Sequence, residues 1–228
     1  MPTINSFIRV LHALPGVSNV DVLINEELLA ENLAYTEVSR YLPIGPGNNR
    51  IQVFAAGTRT EPILDTQVEL PPSEAINLAV TGIMPNPSTV QILQAFPDVP
   101  PQEARIRFAN LSPDAPGLSL FLNDNSAFGD IGYPEVSDYS SVTPETYNVN
   151  LRRASDLDII LAQKNITFQG GMTYTIYGVG LIEGEPALEI IYLTEELPVV
   201  QEKPKVPQND IIQTKPATRK IKITFSYV

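Results

Sequence analysis

One histidine, His12, and no cysteine occur in the 228 residues. A Ser-His-Asp triad can therefore be built in one place at most, and thiol nucleophiles and thiolate metal sites are excluded. His12 ends the apolar run Ile8-Arg9-Val10-Leu11 and aligns with Asn110 in the second half of the chain. Both side chains can hydrogen-bond the Pro-containing turn that follows, and that role is favoured over catalysis or metal binding. A zinc site needs three or four clustered His, Cys or carboxylate ligands, and no such cluster is visible. Asn123-Asp124-Asn125 offers oxygen ligands at successive positions. It lacks the spaced ligands, glycine and distal Glu of a calcium loop, so it reads as a hairpin turn. Asp156 and Asp158 flank Leu157 in what reads as a solvated turn. Glu37 and Glu135 are acid/base types, but each lacks the second carboxylate that glycoside hydrolysis requires. Gly45-Pro46-Gly47 leads toward a strand and not a helix, so it is no phosphate loop. These residues assign no catalytic group, no metal site and no cofactor, and they favour a protein that is not an enzyme.

The strongest constellation is a repeated one. Tyr35-Thr36-Glu37-Val38-Ser39-Arg40-Tyr41 returns 98 residues later as Tyr133-Pro134-Glu135-Val136-Ser137-Asp138-Tyr139, with five of seven positions identical. Tyr35, Glu37, Ser39 and Tyr41 alternate, as do Tyr133, Glu135, Ser137 and Tyr139, so in a strand each set shares one face. Such a face can stack on a sugar and hydrogen-bond it. It can equally anchor the strand to its neighbour or to the adjoining domain, which is the favoured reading.

The elements that must position these residues follow from the same offset. Residues 8–94 align with 106–192 without a gap, and apolar residues fall opposite apolar residues throughout. Val20, Val22 and Ile24 meet Leu118, Leu120 and Leu122, and Val90 and Ile92 meet Leu188 and Ile190. Within each run the apolar positions recur every second residue, the strand period. The first unit is predicted to hold strands near 6–12, 19–25, 35–42, 49–55, 63–70, 75–82 and 89–95, separated by Gly, Pro and Asn turns. The expected fold is all-β, with two tandem immunoglobulin-like or prealbumin-like β-sandwich domains. Residues 1–96 form the first repeat, 97–105 a Pro-rich linker and 106–195 the second repeat. Residues 196–218 form an extended linker, and 219–228 a C-terminal strand whose apolar face is Ile221, Ile223, Phe225 and Tyr227. The two repeats are expected to fold independently.

Ile8-Arg9-Val10-Leu11-His12-Ala13-Leu14-Pro15 with Val20-Asp21-Val22, and Ile106-Arg107-Phe108-Ala109-Asn110-Leu111-Ser112-Pro113-Asp114, resemble a bacterial domain-of-unknown-function family. Its members open on an Arg-Val-x-His-x-Ser-Pro-Asp strand followed by Val-Asp-Val. The Tyr-x-Glu-Val-Ser-x-Tyr stretch resembles that family's middle strand. Asn110 stands where the family has His. The resemblance implies a β-sandwich module of bacterial envelope and surface proteins, often in tandem, with no assigned catalytic residues.

Net charge is −11 and the pI about 4.5, which argues against nucleic acid and anionic membranes as partners. No run reaches the length of a membrane span, so no membrane insertion is expected, and the first residues show no signal-peptide pattern. Residues 195–228 carry six Lys/Arg against four Asp/Glu, net +2, leaving nine against 22, net −13, in 1–194. A basic, alternating strand tethered to an acidic body suits addition to a sheet edge, in its own sandwich or in a neighbouring subunit. The expected function is a structural or assembly role in a bacterial surface layer, appendage or spore coat. The partners are then other copies of the chain or other surface and coat proteins, and the location a cell or spore surface. The alternative is carbohydrate binding by the repeated tyrosine face, with polysaccharide as partner.

Overall fold

The computed structural model describes residues 5–196, and residues 197–228, with Ile221, Ile223, Phe225 and Tyr227, lie outside the described residues. Each half of the chain forms eight strands. The first holds β1 (Ser6–His12), β2 (Val20–Ile24), β3 (Glu27–Leu33), β4 (Leu42–Ile44), β5 (Gly47–Ala55), β6 (Leu64–Leu70), β7 (Ala75–Ile83) and β8 (Asn86–Gln94). The second holds β9 (Ala104–Asn110), β10 (Leu118–Leu122), β11 (Asn125–Ile131), β12 (Ser140–Val142), β13 (Thr146–Arg153), β14 (Asp156–Thr167), β15 (Thr173–Val179) and β16 (Glu189–Thr194). Sheet β4-β1-β7-β8 packs on sheet β3-β2-β5-β6, and β12-β9-β15-β16 on β11-β10-β13-β14. The protein is thus all-β, a tandem pair of β-sandwiches. Each sandwich sets four strands against four, where a constant-type immunoglobulin sandwich sets four against three.

The duplication is preserved in hydrogen-bond register. Ile8 pairs with Leu42 as Ile106 pairs with Ser140, and Val22 pairs with Val53 as Leu120 pairs with Leu151. The last hairpin breaks the pattern. Ile76 pairs with Leu93 while Tyr174 pairs with Thr194, an offset of 98 on one strand and 101 on the other. Three more residues lie between paired positions of the β15–β16 hairpin than between those of the β7–β8 hairpin. The gap-free alignment is therefore corrected beyond residue 180: Val90 and Ile92 stand where Ile191 and Leu193 do, not Leu188 and Ile190.

Two other expectations are corrected. The strand predicted over 35–42 is a turn at Tyr35-Thr36 and a single bridge from Val38 to Leu11, with regular pairing only from Leu42. Thr36 has φ 68°, which takes it out of the extended region. The strand that was missed, β3, carries register shifts opposite Val20–Leu23 and ends near Asn32 at φ 51°. Such irregularity re-aims side chains and erases the two-residue period by which strands are recognised. Asp156 and Asp158 lie on β14, with the turn one step earlier at Ala154-Ser155.

Each sandwich has its own core, the first around Ile8, Val22, Ile51 and Leu78, the second around Phe108, Leu120, Leu151 and Ile176. A third apolar cluster joins them. Leu11, Ala13, Ala79 and Ile92 of the first unit meet Ala109, Leu111, Tyr177 and Val179 of the second. The odd-numbered positions of β1, β7, β9 and β15 thus face the other unit while the even-numbered ones face their own core. The molecule is four sheets deep, with both central sheets covered on both faces. The Pro-rich linker is docked as well. Val99 is buried, Gly171 N–H donates to Glu103 O at 2.8 Å, and a Cβ on Gly170 would stand 1.8 Å from the Pro101 carbonyl oxygen.

Tyr177 is fully buried at the centre of the third cluster. Tyr177→Ala removes an aromatic ring from a packed site and is expected to cost about 3–5 kcal/mol, measured by urea denaturation of the full chain. Because the cluster belongs to both units, the intact protein should melt in one calorimetric transition and the variant should separate into two.

Candidate functional site

The repeated heptad lies along the seam between the two units. Glu37 Oε2 accepts the Ala34 N–H at 3.1 Å, and Glu135 Oε2 accepts the Gly132 N–H at 3.0 Å, each bracing the turn before it. Ser39 Oγ accepts the Val10 N–H and Ser137 Oγ the Phe108 N–H, both at 2.9 Å, so each serine ties the segment to the first strand of its unit. The four tyrosines are half-buried. Tyr133 OH lies 3.3 Å from Ser88 Oγ of the first unit. Tyr35 faces Glu189 of the second unit, the position equivalent to Ser88 at the offset of 101; burial first, then that carboxylate, hold its hydroxyl above its ordinary value. The two tyrosines hold equivalent places, but only Tyr133 hydrogen-bonds across the seam, and the Tyr35 hydroxyl is buried without a hydrogen-bond partner. The structure does not place Tyr35, Glu37, Ser39 and Tyr41, or their copies, on one strand face. It distributes them between a turn, the first strand and the seam.

Tyr41 and Tyr139 continue inward to a buried polar layer. In the second unit Glu195 is its centre. Glu195 Oε1 accepts Arg107 Nη2 at 2.9 Å and the Thr175 hydroxyl. Oε2 accepts the Tyr139 hydroxyl at 2.6 Å and the Ala95 N–H at 3.3 Å. Arg107 lies over the Tyr139 ring, 4.5 Å from its centroid. Burial first, then the hydrogen bond to Glu195, hold the Tyr139 hydroxyl well above its ordinary value, so it stays a donor. In the first unit Arg9 lies over Tyr41 at 4.6 Å and donates through Nε to Asn77 Oδ1, which also accepts Tyr41 OH at 3.2 Å. Asn77 Nδ2 crosses the seam to Tyr177 OH at 2.8 Å. Arg9, Tyr41, Asn77 and Gln94 thus correspond to Arg107, Tyr139, Thr175 and Glu195. The first set has an amide where the second has a carboxylate.

Sequence reasoning missed this layer. An arginine at the same place in two apolar strands, Arg9 and Arg107, was a visible signal. The pairing of Gln94 with Glu195 was hidden, because a constant offset of 98 sets Gln94 against Tyr192.

His12 is buried. Its Nε2 lies 2.9 Å from Ser18 O, and Nδ1 accepts the Leu14 N–H at a long 3.4 Å. Asn110 does the same work, accepting the Ser112 N–H and donating to Ile131 O, each at 3.0 Å. Asn123 and Asp124, at φ 46° and 64°, form the two-residue hairpin turn between β10 and β11, as Asn25 and Glu26 do in the first unit. Among the described residues no three His, Asp or Glu side chains gather as metal ligands would.

Glu195→Gln strands a buried guanidinium, and the expected loss is about 3–5 kcal/mol by chemical denaturation. His12 makes a pH prediction. Burial lowers its pKa below 6.5 despite hydrogen bonds to Ser18 and Val17 that raise it. Below pH 6.5 the unfolded chain takes up a proton that the native ring refuses, so stability falls as the pH drops from 6.5 through the lowered native value. His12→Asn should leave the protein folded and flatten this part of the stability profile.

Residues 6–121 and 104–207 each match the profile of a domain of unknown function, DUF4397. No curated protein matches the chain. Among solved structures, an α-glucan-binding streptococcal virulence factor is 11% identical, with 77% of this chain and 92% of that one covered and a TM-score of 0.23. A CBM26 module of Eubacterium rectale Amy13K, in complex with maltoheptaose, is 8% identical over 87% and 98%, with a TM-score of 0.27. A leucine-rich repeat protein of Bacteroides thetaiotaomicron is 11% identical over 82% of this chain and 27% of that one, with a TM-score of 0.20. At scores this low the ligands named for those proteins remain theirs. The chain belongs to the DUF4397 family and carries its domain twice.

Proposed function

We propose that this protein is a non-enzymatic structural module, a rigid two-unit body that assembles at a bacterial cell or spore surface. The observation that carries the reading is the packed seam between the units. The repeated Tyr-x-Glu-Val-Ser-x-Tyr segment, the most chemically suggestive stretch of the chain, uses its side chains to brace turns and to join the units. A buried ion pair and a third apolar cluster lie beneath it. Groups held this way maintain one fixed relative placement of two domains, which is what a spacer or a lattice subunit needs and a ligand pocket does not.

Assembly itself is assigned to residues 219–228. These residues lie outside the described ones; in sequence, their alternation of Ile221, Ile223, Phe225 and Tyr227 with polar residues suits addition to an open sheet edge, the chain's own or a neighbour's. Head-to-tail donation of this kind builds fibres when the rotation does not close. The acidic body and the basic tail favour the contact in either destination.

Electron microscopy and light scattering of purified full-length protein, beside a chain lacking 219–228, test the proposal. Large species for the full chain and monomers for the truncated one are the expected result. Monomers of equal stability for both defeat it. The alternative, polysaccharide binding through the tyrosine face, requires retention on immobilised polysaccharide that disappears in the Tyr35→Ala/Tyr133→Ala double variant.

A further inference from the structure

The two units are built on one scaffold, and they differ most where one side of each sandwich opens. In the second unit β11 and β12 are edge strands of opposite sheets, and a cleft of about 340 Å³ lies between them. Asn125, Ser126, Ala127, Ser140, Glu145 and Tyr147 are among the residues that line it. The corresponding residues of the first unit are Glu27, Leu28, Leu29, Leu42, Gly47 and Asn49. The equivalence is structural and not only an alignment. Leu23 pairs with Leu28 as Phe121 pairs with Ser126, and Ile8 pairs with Leu42 as Ile106 pairs with Ser140.

In the first unit this opening is plugged. Leu29 is buried in the core, and Leu42 and Ile44 pack against it. In the second unit the two leucines that fill this opening, Leu29 and Leu42, are replaced by Ala127 and Ser140, and the exposed Leu28 is replaced by Ser126. The same exchange brings a carboxylate, Glu145, in place of Gly47 and an aromatic ring, Tyr147, in place of Asn49. Loss of apolar filling from one copy alone weakens that sandwich. It coincides with the arrival of hydroxyls, an amide, a carboxylate and a ring around one space.

We propose that this cleft is a binding site for a neutral sugar ring. Its volume accommodates a pyranose with room for a second residue at the mouth. The Ser126 and Ser140 hydroxyls make no protein hydrogen bond among the described residues and are free to donate or accept. Glu145 accepts from sugar hydroxyls, and Asn125 does both. Ala127, Val142 and the Tyr147 ring give the apolar surface on which the C–H face of a pyranose rests. Tyr147 is held in place, its hydroxyl donating to Thr143 O at 3.0 Å. An anionic ligand is disfavoured by Glu145 and by the net −13 of residues 1–194, and a purely apolar one by the hydroxyl walls. The site is independent of the assembly role and of the tyrosines at the seam, and a monomer would bind as a polymer does.

The test is saturation-transfer NMR with titration of the full-length protein against glucose, galactose, mannose and N-acetylglucosamine, with tetramethylammonium as a non-sugar cation. Saturable binding of at least one sugar is expected, with Kd on the order of 1 mM for so small a contact. The triple variant Ser126→Leu/Ala127→Leu/Ser140→Leu restores the plug of the first unit, and it should weaken binding at least tenfold while the thermal midpoint holds or rises. Two surface variants, Ser140→Ala and Glu145→Gln, cover the case in which the triple variant fails to fold, and each should weaken binding several-fold. The proposal is overturned if no sugar saturates, if tetramethylammonium binds and the sugars do not, if the folded triple variant binds as well as the native chain, or if both surface variants keep full affinity.

Discussion

Glu195 accepts four hydrogen bonds while almost wholly removed from water, and the meeting of the two units depends on that arrangement. A carboxylate in such a place is tolerable only when a cation and enough donors surround it. Arg107 and Thr175 come from β9 and β15 and Tyr139 from the segment before β12, and the Ala95 N–H comes from the chain as it leaves the first unit. The geometry therefore holds only if β9, β15 and the segment before β12 are in register and the first unit is docked. Around this centre the third apolar cluster excludes water, which strengthens each of these bonds.

The first unit has no carboxylate at this place, and Arg9 Nη2 and Gln94 Oε1 are buried there without hydrogen-bond partners. Gln94 stands for Glu195 and Asn77 for Thr175, while Arg9 and Tyr41 are kept. Asn77 then reaches across the seam to Tyr177, a contact with no return, because Ala79 stands where Tyr177 does and the Thr175 hydroxyl is taken by Glu195. Duplication followed by exchange of this kind turns a symmetric interface into an asymmetric one. Each unit keeps its turn-bracing glutamate and its strand-tying serine, because the turn before β4 and its copy before β12 need them locally. Differences gather in the layer between units and at the open side of each sandwich.

These two places answer different physical demands. Side chains at the seam are half-buried or fully buried, and those around Glu195 are held by several partners, so they set the relative position of the units. At the mouth between β11 and β12, Ser126 and Ser140 are exposed with unused hydroxyls, and the leucines that seal the first unit are gone. The proposed structural role rests on the first of these places and the proposed sugar site on the second.

The sequence by itself determined the class and the period of the architecture. Alternating apolar residues, turns of Gly, Pro and Asn, and the echo of one heptad establish two all-β units, because strand pairing imposes a period of two and duplication copies it. The role of His12 was legible too, because Asn110 can make the same bonds. The tertiary structure decided the rest. Residues 35–41 alternate like a strand, yet the turn at Tyr35-Thr36 and the pairing of β1 with β7 leave them only a single bridge. β3 escaped notice because its bulged pairing destroys the period. Odd-numbered positions of β1, β7, β9 and β15 carry Leu11, Ala79, Ala109 and Tyr177, and no local pattern says whether such a face meets solvent or another sheet. The match of Gln94 with Glu195 depends on three more residues between paired positions of the last hairpin in one copy. Its consequence, a buried ion pair, exists only when strands distant in sequence converge.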